Sequence, residues 1–307
     1  MQIKRALCLS GGGAKGYAQI QVLKAIEKEF GKPLCEVYDL IAGTSVGAIN
    51  AALIASGKLS MDKLEKIYPD VLKKVFTKKW YRLKKPKYQR KYFEREWSKL
   101  IGKDFKMSDS KTKLMLTSVD LVSDENHFFK SWYDDMKGER MMDIVCRSFA
   151  APMYFGHIVD YKNKKCWSDG GVGNANLPLM EVKTQIESFG WYDKRSIFGG
   201  QEVHVDAIGC LYHDPHHTFE DIKKNRWLKQ VFDYLNLGSG GLARAQSRQD
   251  QIRMMSFLTK DNHNIKFRYW DKEIPKKIDK LDGVKYLNEY KRHGIEMAKK
   301  PMLDLTR

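Results

Sequence analysis

Apolar positions change period several times along the chain, and each change predicts an element. Ile3-Lys4-Arg5-Ala6-Leu7-Cys8-Leu9 is a short apolar run of the kind that forms a buried strand. It leads into Gly11-Gly12-Gly13-Ala14-Lys15-Gly16, after which Val22, Ile26 and Phe30 recur at helical spacing with Leu23 beside them. Gly31 and then Pro33 stop that helix. The unit repeats at once: Tyr38 to Ala42 is a second strand, Gly43-Thr44-Ser45-Val46-Gly47 a tight turn, and Ala48 to Ala55 a helix apolar all round. A helix of that kind is buried. Two strand–turn–helix units in succession predict a mainly parallel sheet with functional groups at the carboxyl ends of its strands.

Leu64, Ile67, Val71 and Val75 mark a further helix, and residues 72–97 then become densely basic and aromatic. This stretch reads as a cap inserted at about residues 60–110. Lys113 to Val122 and His127 to Tyr133 have strand character, Arg140 to Ala151 helix character, and Glu202 to Leu211 is an apolar strand. Beyond residue 215 the chain is helix-rich, with one strand-like stretch at Asn264 to Trp270 whose role the pattern does not assign. The expected fold is α/β, with a central mainly parallel sheet and helices on both faces. A core over residues 1–215 carries the cap, and a helix-rich region over 216–307 packs on the same domain.

Composition narrows the class. Among 307 residues, 42% hydrophobic and 12% aromatic is enough for a folded core. No run of about 18 apolar residues occurs, and the amino terminus enters a strand without a signal pattern, so a cytoplasmic protein is expected. Five scattered cysteines without CxxC spacing or paired histidines indicate neither a disulfide framework nor a metal site. A net charge of +17 favours a polyanionic partner: nucleic acid, an anionic bilayer or an acidic small molecule. No nucleic-acid-binding signature accompanies it, so nucleic acid is not expected.

Gly43-x-Ser45-x-Gly47 between a strand and a buried helix is a nucleophile-elbow pattern: the glycines permit the sharp turn and the serine stands at its apex. A serine hydroxyl needs a proton acceptor, and the tetrahedral oxyanion it generates needs N–H donors already in place. The backbone of Gly11, Gly12, Gly13 and Ala14 can supply those donors. As a dinucleotide fingerprint or phosphate loop the same glycines fit less well. The second strand ends in the serine elbow, not an acid, and Lys15 is followed by Gly16, not Ser or Thr. None of the eight histidines stands out as a base, and His213-Asp214-Pro215-His216-His217 reads as a solvated loop. Asp169-Gly170-Gly171 is the sharper candidate, although Asp-Gly alone is a common turn.

The three motifs together, in this order, resemble the patatin-like phospholipase family. Ala150-Ala151-Pro152-x-x-Phe155 before the aspartate and Asn174 to Pro178 after it add to the likeness, which extends over about residues 3–180. The resemblance implies a three-layer patatin-like fold and a Ser/Asp dyad. Asp169 would take the proton of Ser45 directly, with the glycine loop as oxyanion hole and no cofactor. An aspartate is a weak base in water, with a pKa near 3.9, so it must be withdrawn from solvent to serve. Lys15 would contact phosphate or anchor the loop.

The implied substrate is membrane phospholipid, reached by peripheral association with the inner face of the membrane. Lys73 to Phe93 suits an anionic surface. Bacterial members of this size include antiphage effectors switched on by cyclic oligonucleotides. A cyclic nucleotide activator is therefore a further expectation, with Lys223, Lys224, Arg226, Arg244 and Arg248 as the place to look. A homo-oligomer, and a catalytically silent nucleotide-binding module as the alternative function, stay open here.

Overall fold

The computed structural model describes residues 3–77, 86–191, 201–213, 242–261 and 264–306. In chain order the elements that build the site begin with β1 (Lys4–Leu9), α1 (Gly16–Phe30), β2 (Leu40–Thr44) and α2 (Val46–Ala55). The cap follows as α3 (Met61–Val75) and α4 (Arg90–Leu100). Then come β3 (Lys113–Asp120), β4 (Glu125–Lys130), α5 (Met141–Ser148), β5 (Ile158–Asp160), β6 (Lys165–Asp169), α6 (Leu179–Ser188) and β7 (Val203–Ile208). The chain ends with α7 (Leu242–Asp261), β8 (Ile265–Trp270), α8 (Leu287–Ala298) and β9 (Leu303–Leu305).

Among the described residues these strands form one sheet, ordered β5-β6-β3-β2-β1-β7-β8-β9, with β4 also paired to β3. β3, β2, β1, β7 and β8 are parallel, and antiparallel strands close both ends. Because side chains alternate across a strand, β1 feeds two cores. Leu7 and Leu9 join α1, α2 and α3 on one face, whereas Ala6 and Cys8 join Leu179, Val182 and Met255 of α6 and α7 on the other. That double burial explains why β1 reads as a continuous apolar run.

The stretch Asn264 to Trp270 acquires a role here, since β8 extends the parallel sheet beside β7 from Val203↔Ile265 to Ile208↔Trp270. Its charged positions hid it. Arg268 makes a two-pronged bond to buried Asp206, at 2.8 and 2.9 Å, and Tyr38 donates to the same carboxylate at 2.7 Å. Tyr38 therefore precedes β2 as a buried anchor and is not its first residue. The helix anticipated to Ala151 ends at Ser148. Pro152 disfavours helical backbone in the residue before it.

Candidate active site

Ser45 sits between β2 and α2 with φ 56° and ψ −122°, a strained conformation for a residue that carries a side chain. The glycines on either side make it feasible. A β-carbon on Gly43 would run into the Gly47 carbonyl, and one on Gly47 would run into the carbonyl of Leu9. The turn can thus close on β1 only with glycine at both positions. The Ser45 N–H donates to Ser148 Oγ at 3.0 Å, which fixes the turn to the end of α5. No sequence pattern marked Ser148.

Strand register brings Asp169 to the serine. β3 pairs with β4 along one edge, while its other edge is shared: β2 occupies it up to Thr44↔Thr117, and antiparallel β6 takes over at Ser118↔Asp169. The ends of β2 and β6 therefore meet head to head on consecutive residues of β3. Ser45 Oγ, one residue past β2, donates to Asp169 Oδ2 at 2.7 Å. Asp169 is 6% exposed, and its Oδ1 accepts the Gly171 N–H at 2.7 Å. One carboxylate oxygen is thus held by the backbone while the other faces the serine.

The glycine loop lies alongside. A β-carbon on Gly11 would stand 2.9 Å from Ser45 Cβ and 2.6 Å from Asn176 Oδ1, so glycine sets the closeness of loop and elbow. Gly16, Gly170 and Gly171 are crowded in the same way, by Val46, the Thr117 carbonyl and Asn176 respectively. Of the four anticipated N–H donors, two are engaged elsewhere: Gly11 donates to Asn176 O at 3.0 Å and Ala14 to Leu281 O at 2.6 Å. Among the described residues the N–H groups of Gly12 and Gly13 have no such partner, and both residues line the Ser45 cavity.

Lys15 is the loop's anchor. Its buried ammonium donates to Leu211 O at 2.8 Å and to Asp279 at 2.5 Å. These two acceptors fit the role of loop anchor. Asp279 and Leu281, which hold the loop from the far end of the chain, carried no signal in the sequence.

Ser45 and Asp169 open into a cavity walled by Ile49 and Leu53 of α2, Leu72 and Val75 of α3, Phe93 of α4, and Phe149. The cap helices thus form an apolar wall. Tyr88 and Phe93, anticipated at a membrane surface, are buried, and Phe93 stacks edge-on against Phe149 at 4.6 Å. Lys74 is committed to Glu96. Residues 78–85 of the basic stretch lie outside the described residues.

At another part of the cavity the Arg248 guanidinium lies over the Tyr212 ring, 3.7 Å from its centroid, and 3.9 Å from Asp271. Burial pushes the Asp271 carboxyl above its ordinary range, against the pull of Arg248 and the Tyr269 hydroxyl. His213 lines the cavity too, whereas His216, His217, Lys223, Lys224 and Arg226 lie outside the described residues, as does the side chain of Arg244.

A half-buried serine hydroxyl on a strained turn, bonded to a buried carboxylate beside two backbone donors and an apolar cavity, can carry out acyl transfer. Comparison with known proteins agrees with that chemistry. The family model described as patatin-like phospholipase matches residues 7–183, and the chain belongs to this family. It is 27% identical over 245 residues to a cGAMP-activated phospholipase of Escherichia coli (strain TW11681), covering 73% of this chain and 66% of that protein. It is 47% identical over 75 residues to a cUMP-AMP-activated phospholipase of Escherichia coli, covering 24% and 23%. The matches thus span less than two thirds of these curated relatives. Among solved structures, VipD from Legionella pneumophila aligns with 96% of this chain and 66% of its own at 12% identity and a TM-score of 0.46.

Proposed function

We propose that the chain is a lipid acyl hydrolase of the phospholipase A type. The observation that carries this reading is the 2.7 Å bond from Ser45 Oγ to buried Asp169. Ser45 Oγ attacks the ester carbonyl as its proton passes to Asp169, and the N–H groups of Gly12 and Gly13 receive the oxyanion. Collapse returns that proton to the departing lysolipid alkoxide and leaves an acyl-serine. Water, giving up a proton to Asp169, attacks the acyl-serine, and fatty acid leaves as the proton returns to Ser45. Each correctly placed oxyanion donor is worth about 3 kcal/mol of barrier.

The apolar wall from α2, α3 and α4 suits an acyl chain, and Arg248, pre-oriented by Tyr212, suits the lipid phosphate. Gating by a cyclic dinucleotide is the finer part of the proposal. It rests on the names of the two bacterial relatives and on the net charge of +17. Nothing in the site favours a silent nucleotide-binding module.

Fatty-acid release from phosphatidylglycerol vesicles, with and without added cyclic dinucleotides, tests both parts. Release by the wild-type chain and none by Ser45→Ala is the expected result, with cyclic dinucleotide raising the wild-type rate. Release by Ser45→Ala would refute the dyad, and equal rates with and without dinucleotide would refute the gating.

A further inference from the structure

The loop that carries Gly12 and Gly13 is backed by a short segment from the far end of the chain, residues 278–283. A β-carbon on Gly13 would collide with the Leu281 carbonyl, and the next N–H, that of Ala14, donates to the same carbonyl at 2.6 Å. The Leu281 peptide is therefore the surface against which Gly13 is set. The segment is pinned in turn to α8, where the buried Tyr290 hydroxyl donates to Ile278 O at 2.7 Å.

The residue after Leu281 reaches the cap. Asp282 Oδ2 accepts the Tyr88 hydroxyl at 2.6 Å and pairs with the Lys87 ammonium, 195 residues away in sequence. Tyr88 is 3% exposed and packs on Phe76 and Phe155, both of which line the Ser45 cavity. The N–H groups of Lys87 and Tyr88 donate to Met153 O and Tyr154 O at 2.8 and 2.7 Å, which fixes the same part of the cap to the segment before Asp169. A buried phenol donating to a carboxylate is a strong and directional contact. Lys87, with its side chain 40% exposed, adds less.

We propose that Asp282 is a positioning residue for the oxyanion donors, and that its bond to Tyr88 couples the cap to the glycine loop. The path has few steps: Tyr88 holds Asp282, Asp282 is covalently next to Leu281, and the Leu281 carbonyl holds the backbone at Gly13 and Ala14. The aromatic wall at Phe76 and Phe155 and the donors at Gly12 and Gly13 are thus set as one unit. Small slips matter there, since a displacement of about 1 Å can cost about 100-fold in rate. The role given to the donors rests on the proposed lipid hydrolase, but the coupling can be measured without turnover.

The test begins with hydrolysis of a soluble short-chain ester by the full chain. Asp282→Ala is expected to lower kcat about tenfold with KM little changed. Tyr88→Phe should lower kcat in the same way, and the double variant should lose no more than Asp282→Ala, because both changes remove one contact. Asp282→Asn, which still accepts the Tyr88 hydroxyl, should recover most of kcat. Affinity for a trifluoromethyl ketone, whose adduct with Ser45 carries an oxyanion, should fall in parallel with kcat. Amide exchange at Ala14 reads the coupling directly and should quicken in Asp282→Ala and Tyr88→Phe. Wild-type kcat in Asp282→Ala, a loss of kcat that ketone affinity does not follow, or unchanged exchange at Ala14 would overturn the proposal. If Asp282→Ala does not fold, Tyr88→Phe gives the same readouts and decides. Absence of ester hydrolysis in the wild type would instead count against the hydrolase reading, leaving exchange at Ala14 to decide the coupling separately.

Discussion

Asp169→Asn should lower kcat for ester hydrolysis by about 10²–10⁴-fold, the range a positioned general base contributes, with little change in KM. The amide preserves the size of the side chain and can still accept the Gly171 N–H. It cannot take a proton from Ser45 Oγ, which the carboxylate now meets at 2.7 Å. Steady-state kinetics on a soluble ester would show the split. A fall in kcat of less than tenfold would mean that some other group accepts the proton.

The largest expected effect on stability lies at Lys15. Its pair with Asp279 is nearly enclosed, with side-chain exposures of 3% and 7%. Removing one partner of a buried pair leaves an uncompensated charge and costs about 3–5 kcal/mol. Lys15→Met should therefore lower the unfolding free energy by that amount in guanidinium titrations with an unchanged slope. Because Lys15 also ties Leu211 to the glycine loop, hydrolysis should fall in the same variant. The double variant Lys15→Met/Asp279→Leu should recover most of the stability, since it also removes the carboxylate that Lys15 balances. A loss below about 1 kcal/mol in the single variant would show that the pair does not hold the loop.

Residues 9–47 were legible in the sequence because their constraints are local. A turn as tight as the one at Ser45 needs glycine at 43 and 47, and a buried helix after it must be apolar. Asp169 was found by its motif and not by any periodicity, for its meeting with Ser45 across 124 residues depends on how β2 and β6 divide one edge of β3. The loop anchors Asp279 and Leu281 were invisible for the same reason: nothing near them in the chain announces a partner near residue 14.

β8 was legible as a strand but not as a member of the parallel sheet. Lys266 and Arg268 give it the alternation of a half-exposed strand, and only the buried Asp206 across the register explains the arginine. In the basic stretch, residues 78–85 lie outside the described residues. Its composition resembles a membrane belt, yet Phe93 is buried in the cavity wall and Tyr88 is buried against Phe76 and Phe155.

The central claim is that Ser45 is the nucleophile, and covalent trapping tests it most directly. Wild-type protein treated with a fluorophosphonate should gain one adduct, located by peptide mass spectrometry on Ser45. Asp169→Asn should form that adduct at least a hundredfold more slowly, within the range expected for loss of a general base. Labelling at another residue, or an adduct that forms equally fast without Asp169, would contradict the account.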